Sequence, residues 1–78
     1  MNYLATFYTQ AAAILTARTF KKACVPCKAG PVPRELSSSC GTCVRYQADT
    51  PLYDALDRDV ESVYEQNDEK YRLLLKRE

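Results

Sequence analysis

Histidine and tryptophan are absent from this 78-residue chain, and it has only one methionine and two glycines. Without histidine there is no Ser-His or Cys-His nucleophile couple and no mixed Cys/His metal site. With two glycines, Gly30 and Gly41, there is no glycine-rich phosphate loop. Residues 1–17 lack charge, but Asn2, Thr6, Thr9, Gln10 and Thr16 interrupt them. Neither a secretory core nor a span of about 20 apolar residues can be read there, so no transmembrane segment is expected. These absences make an enzyme an unfavoured reading.

Cysteine, by contrast, is concentrated. Cys24 with Cys27 and Cys40 with Cys43 form two Cys-x-x-Cys pairs. Thiolates three residues apart can share one ion at about 2.3 Å, and a second pair across a loop completes a tetrahedral site. The spacing predicts a structural zinc held by Cys24, Cys27, Cys40 and Cys43 as thiolate ligands. The competing reading is two disulfides, with a nested pairing of Cys24 to Cys43 and Cys27 to Cys40 between antiparallel helices. Pro26 and Gly41 within the pairs favour tight turns around a metal over helix interiors. A rubredoxin-like iron centre lacks its usual glycines, since Lys28 and Val44 follow the pairs. A redox relay at Cys24-Val25-Pro26-Cys27 lacks a thioredoxin-like setting.

Charge divides the chain. Residues 1–34 hold five bases and no acid, net +5, and residues 35–78 hold six bases against ten acids, net −4. The plain meaning is that the two halves lie against each other; the sharper one is an uncleaved mitochondrial import signal at the acid-free N-terminus.

Apolar spacing predicts a mainly α fold, a two-helix hairpin in one domain spanning 1–78. Leu4, Phe7, Tyr8, Ala11, Ile14 and Leu15 mark a stripe on a first helix over 2–22. Pro26, Gly30, Pro31, Pro33, Gly41 and the serines at 37–39 make 23–48 a cysteine-rich, zinc-knuckle-like loop. Asp49 or Thr50 caps a second helix over 50–76, with Pro51 at its first position. Its stripe is Leu52, Leu56, Val60, Val63, Asn67, Tyr71 and Leu74, and at 1.5 Å per residue it would run close to 40 Å.

The expected function is a small non-catalytic structural or accessory subunit of a larger assembly, with mitochondria as the expected location. Other protein subunits would meet the helix 1 stripe from Leu4 to Leu15 and the C-terminal cluster of Tyr71, Leu74 and Leu75. Nucleic-acid binding is the alternative, on Lys21, Lys22, Lys28, Arg34, Arg45 and Tyr46, against the sign of the acidic second half. Over residues 24–47 the paired cysteines and Val32-Pro33-Arg34 faintly resemble the zinc finger of the small RNA polymerase regulators, with a shorter loop and no acidic tip. The helix, paired cysteines and helix layout is similar to that of the small mitochondrial Tim chaperones, whose pairs are separated by three residues. That likeness implies a disulfide-stapled hairpin of the intermembrane space.

Overall fold

Six N-terminal residues, Asn2–Phe7, form a strand (β1) at the centre of a five-stranded sheet. In the computed structural model, which describes residues 1–77, there follow a helix α1 (Gln10–Lys22) and strands β2 (Cys27–Pro31), β3 (Thr42–Gln47), β4 (Val60–Asn67) and β5 (Lys70–Lys76). A single 3-10 turn at Tyr53–Ala55 lies between β3 and β4. The spatial order is β2-β3-β1-β4-β5, and every neighbouring pair is antiparallel. Because β3 is antiparallel to both β1 and β2, those two run the same way. β1-α1-β2 is therefore a crossover with β3 inserted between its strands.

Local chemistry accounts for several of these boundaries. Thr9 is extended and its hydroxyl accepts from the Ala12 amide at 3.1 Å, which caps α1 at its N-terminus. Lys21 and Lys22 occupy the last turn, where cations suit the negative end of the helix. Two residues, Asp68 and Glu69, connect β4 to β5, and Asp68 takes the left-handed conformation with φ 55°. Gly41, with φ 72°, turns the chain into β3.

The core lies between α1 and one face of the sheet. Ala12, Ala13, Thr16 and Phe20 are the buried positions of the helix, and they meet Tyr3, Ala5, Phe7, Val44, Tyr46, Val60 and Val63. Phe20 packs on Tyr46 with ring centroids 4.5 Å apart, and Tyr46 stacks on Tyr3 at 5.4 Å. The Thr16 hydroxyl accepts from the Asp57 amide at 3.0 Å and the Tyr46 hydroxyl donates to the Pro51 carbonyl, so the long β3–β4 connection is tied down at two points.

This architecture overturns the two-helix hairpin. The first helix begins at Gln10, eight residues after the expected start, because 2–7 is strand. Residues 50–76 hold two strands and a 3-10 turn in place of a helix. A helix of about 26 residues would need about 39 Å, whereas the molecule is 29 Å in its longest dimension. The region 23–48 is not an irregular knuckle, since it contributes β2 and β3. Among the described residues no helix is long and apolar enough to cross a membrane.

Irregular strand pairing explains why helical spacing misleads. The pairing between β1 and β4 shifts between Thr6 and Phe7, so Glu61 is bulged out and Val60 and Val63 both reach the core three residues apart. A second shift in β4–β5 leaves Leu74 as an extra residue between Leu73 and Leu75. Two strands with bulges thereby imitate the three-and-four spacing of a helix.

The expected partner surface is also redistributed. Leu4 and Phe7 are fully buried, whereas Tyr8, Ala11, Ile14 and Leu15 are exposed, the last two at 47% and 50%. Tyr71, Leu74 and Leu75 are half-buried in β5 or against the core. The acid-free N-terminal segment is the central strand and the helix.

Phe20→Ala removes the ring that joins α1 to Tyr46 and is expected to cost about 3–5 kcal/mol, about the whole stability of a domain this small. Ile14→Ala, on the exposed face of the same helix, should change the urea midpoint by less than about 0.5 kcal/mol equivalent. Paired urea denaturation curves check both.

Candidate functional site

Strand alternation sorts the side chains of the sheet onto two faces. On the helix side, Cys27, Tyr46, Tyr3, Glu65 and Arg72 form one row across the strands, and Ala29, Val44, Ala5, Val63 and Leu75 the next. On the other side the rows are Lys28, Arg45, Leu4, Tyr64 and Leu73, and then Gly30, Cys43, Thr6, Ser62 and Lys76. The second face has no helix and, in these rows, no carboxylate. Arg72 and Glu65 make an ion pair at 2.9 Å on the helix side.

Cys27 and Cys43 therefore project to opposite faces. They are also offset by three residues along the β2–β3 hairpin, about 10 Å, because Cys27 pairs with Tyr46 and Cys43 with Gly30. Cys24 and Cys27 belong to the end of the hairpin nearest the C-terminus of α1. Cys40 and Cys43 belong to the other end, where the β2–β3 loop closes. Among the described residues no group of three or more Cys, Asp or Glu side chains stands together as a metal site. Cys24, Cys27, Cys40 and Cys43, expected as the ligands of one zinc ion, therefore stand as two pairs at opposite ends of a hairpin rather than as one cluster. All four are free thiols in this structure.

The four thiols differ in environment. Cys24 is exposed and holds the left-handed conformation, φ 60°, just beyond the end of α1. Cys27 is half-buried, with its thiol 3.6 Å from the Ala17 carbonyl, and opens on a shallow cavity of about 320 Å³ shared with Pro26, Arg45 and Tyr46. Cys40 is half-buried in the loop and its thiol faces the Thr42 carbonyl at 3.6 Å. Cys43 is 1% exposed, with its thiol 3.5 Å from the Pro31 carbonyl. Burial pushes the Cys43 thiol up from its ordinary value; Arg45 pulls it down and the neighbouring Cys40 pushes it up further.

The loop that presents Cys40 is anchored to the middle of the sheet. Ser39 donates through its amide and its hydroxyl to the two carboxylate oxygens of Glu61, both at 3.0 Å, and the Ser38 hydroxyl donates to the Phe7 carbonyl at 3.3 Å. The bulge that displaces Glu61 from the core therefore supplies the anchor of this loop. Next to Cys43 in its row is Thr6, whose hydroxyl is the buried side-chain polar atom without a hydrogen-bond partner among the described residues.

Reading the sequence as a helical hairpin missed Thr6, Ser39 and Glu61. It placed Lys28 and Arg34 beside the thiols, where the structure sets Lys28 opposite Arg45. The alternation within 42–47, with Cys43, Arg45 and Gln47 on one side and Val44 and Tyr46 on the other, is the signal that could have found this face.

Two expected outcomes follow from the unequal thiols. Limited alkylation should modify Cys24 first and Cys43 last, with peptide mass mapping as the check, and the Cys43 rate should go on rising with pH beyond the point at which free cysteine levels off. Cys43, and Tyr46 by its own burial, bind their protons more tightly in the folded state than in the unfolded one. Stability is therefore full below the ordinary thiol range and falls as pH rises through about 8.5 and then about 10. Tyr46→Phe should flatten the second part of that decline in urea titrations.

The sequence model of one family, described as "Putative Se/S carrier protein-like", matches residues 2–56, more than two thirds of the chain and all four cysteines. No curated protein and no solved structure matches. The matched segment runs from the central strand through the helix and both cysteine pairs to the 3-10 turn, and the chain belongs to the Se/S carrier protein-like family.

Proposed function

We propose that this protein carries a sulfur or selenium atom on the side chain of Cys40, as a persulfide or its selenium analogue, and is not itself an enzyme. The main support is the inequality of the Cys40 and Cys43 pair. Cys40 is half-exposed on a loop anchored by Glu61, so a donor can reach it. Cys43 is buried and holds its proton, so little thiolate is present to attack a loaded neighbour. A loaded atom on Cys40 would survive long enough to be delivered. Membership of a family described as Se/S carrier-like supports the same reading.

Loading is an exchange at the outer atom of a donor persulfide. The Cys40 thiolate attacks that atom, the donor's S–S or S–Se bond breaks, and the donor leaves as a thiolate. Delivery repeats the step in the other direction, with an acceptor nucleophile taking the outer atom and Cys40 leaving as thiolate. No external oxidant or reductant enters either step. The exposed Ile14 and Leu15 on α1, with Arg18 and Lys21 on the same helix, offer a surface on which a donor or acceptor protein can dock, which accommodates the accessory-subunit reading within the carrier role.

Incubation with glutathione persulfide, followed by intact and peptide mass measurement, tests this. The wild-type peptide containing Cys40 should gain one sulfur atom; Cys24→Ser should gain it equally and Cys40→Ser should not. No gain of sulfur on the Cys40 peptide while Cys24 loads, or purified protein holding one zinc with its four thiols protected from alkylation, would refute the carrier assignment.

A further inference from the structure

Lys28 and Arg45 face each other across β2 and β3 on the sheet face without a helix. Like charges directly opposite in a sheet repel, and the usual remedy is a carboxylate beside them. Among the described residues these rows hold none: the next residues in that row are Leu4 and Tyr64, and the adjacent row holds Gly30, Cys43, Thr6, Ser62 and Lys76. Below the two cations is a recess of about 200 Å³, walled by Lys28, Gly30, Pro31, Cys43 and Arg45. The space over Gly30 is empty, since a methyl group there would meet nothing within 4 Å, so a larger side chain at this position would project into the recess.

We propose that this recess is a binding site for a small inorganic oxyanion, held between Lys28 and Arg45 over Gly30 and Cys43. An anion of this kind relieves the repulsion between the two cations and gives each a charge-assisted partner. The recess is larger than a single monatomic anion needs and too small for a nucleotide. Sulfur oxyanions and phosphate share the required chemistry, and the arms of the experiment separate them. The proposal goes beyond the Cys40 reading and does not depend on it.

Sulfate, thiosulfate and phosphate are titrated separately into 15N-labelled protein at constant ionic strength, with amide shifts as the readout. Melting temperature is avoided, because sulfate and phosphate raise it for proteins in general. The expected result is saturable shifts centred on Lys28, Gly30, Cys43 and Arg45, with slower alkylation of Cys43 in the presence of the anion. Binding by all three anions, or by one of them, supports the site and states its source. Lys28→Gln and Arg45→Gln should each weaken binding roughly tenfold, and Lys70→Gln, on β5, should leave it unchanged.

Gly30→Val separates a recess from a mere concentration of charge. It keeps both cations, introduces a side chain that suits a strand, and fills the space, so saturable binding should be lost while the spectrum stays folded. If valine proves disruptive, Gly30→Ala serves, with weaker binding expected. Equal binding by the folded Gly30 variant, shifts spread over Lys21, Lys22 and Lys70, or no saturation with any of the three anions would overturn the proposal.

Discussion

β1 is the constraint on which the rest depends. It is hydrogen-bonded along both edges, to β3 and to β4, and its residues from Tyr3 to Phe7 are at most 3% exposed. One hairpin, β2–β3, lies on one side and the other, β4–β5, on the opposite side, and only β1 joins them within the sheet. The helix then closes one face of this arrangement through Phe20 and the small residues Ala12 and Ala13. Small residues at those positions let the helix lie close to the sheet, while its larger apolar residues Ile14 and Leu15 remain outside.

The same placement separates the thiols. A Cys-x-x-Cys pair at each end of a hairpin gives two local environments, and alternation along β2 and β3 sends Cys27 and Cys43 to different faces. What could have been one structural cluster becomes a graded set running from exposed Cys24 to buried Cys43. Such grading suits chemistry at one thiol at a time, because accessibility and proton affinity select which sulfur reacts. The bulge in β4 contributes here too: by leaving the core row, Glu61 becomes available to fix Ser39 beside Cys40.

Much of the local chemistry was legible in sequence. The four cysteines and their pairing along the chain, the basic first half, the lack of histidine and the turn residues between 26 and 41 were all visible. The fold class was not, because Val60, Val63, Tyr71 and Leu74 follow helical intervals that two bulges produce in strands. The first strand was hidden differently. Leu4 and Thr6 are as buried as Tyr3, Ala5 and Phe7, so the segment shows no alternation, and it runs directly into a real helix capped by Thr9.

The sequence by itself determined which groups are available: four thiols, no imidazole, and cations concentrated before residue 35. Only the tertiary structure decided which of them share a neighbourhood. Spacing along a chain sets distance only within a turn, whereas strand register sets both the neighbour and the face. Register put Arg45 opposite Lys28 and Thr6 beside Cys43, and it kept Cys27 away from Cys43. That register arises from long-range hydrogen bonding and core burial around β1, which no local pattern of residues specifies.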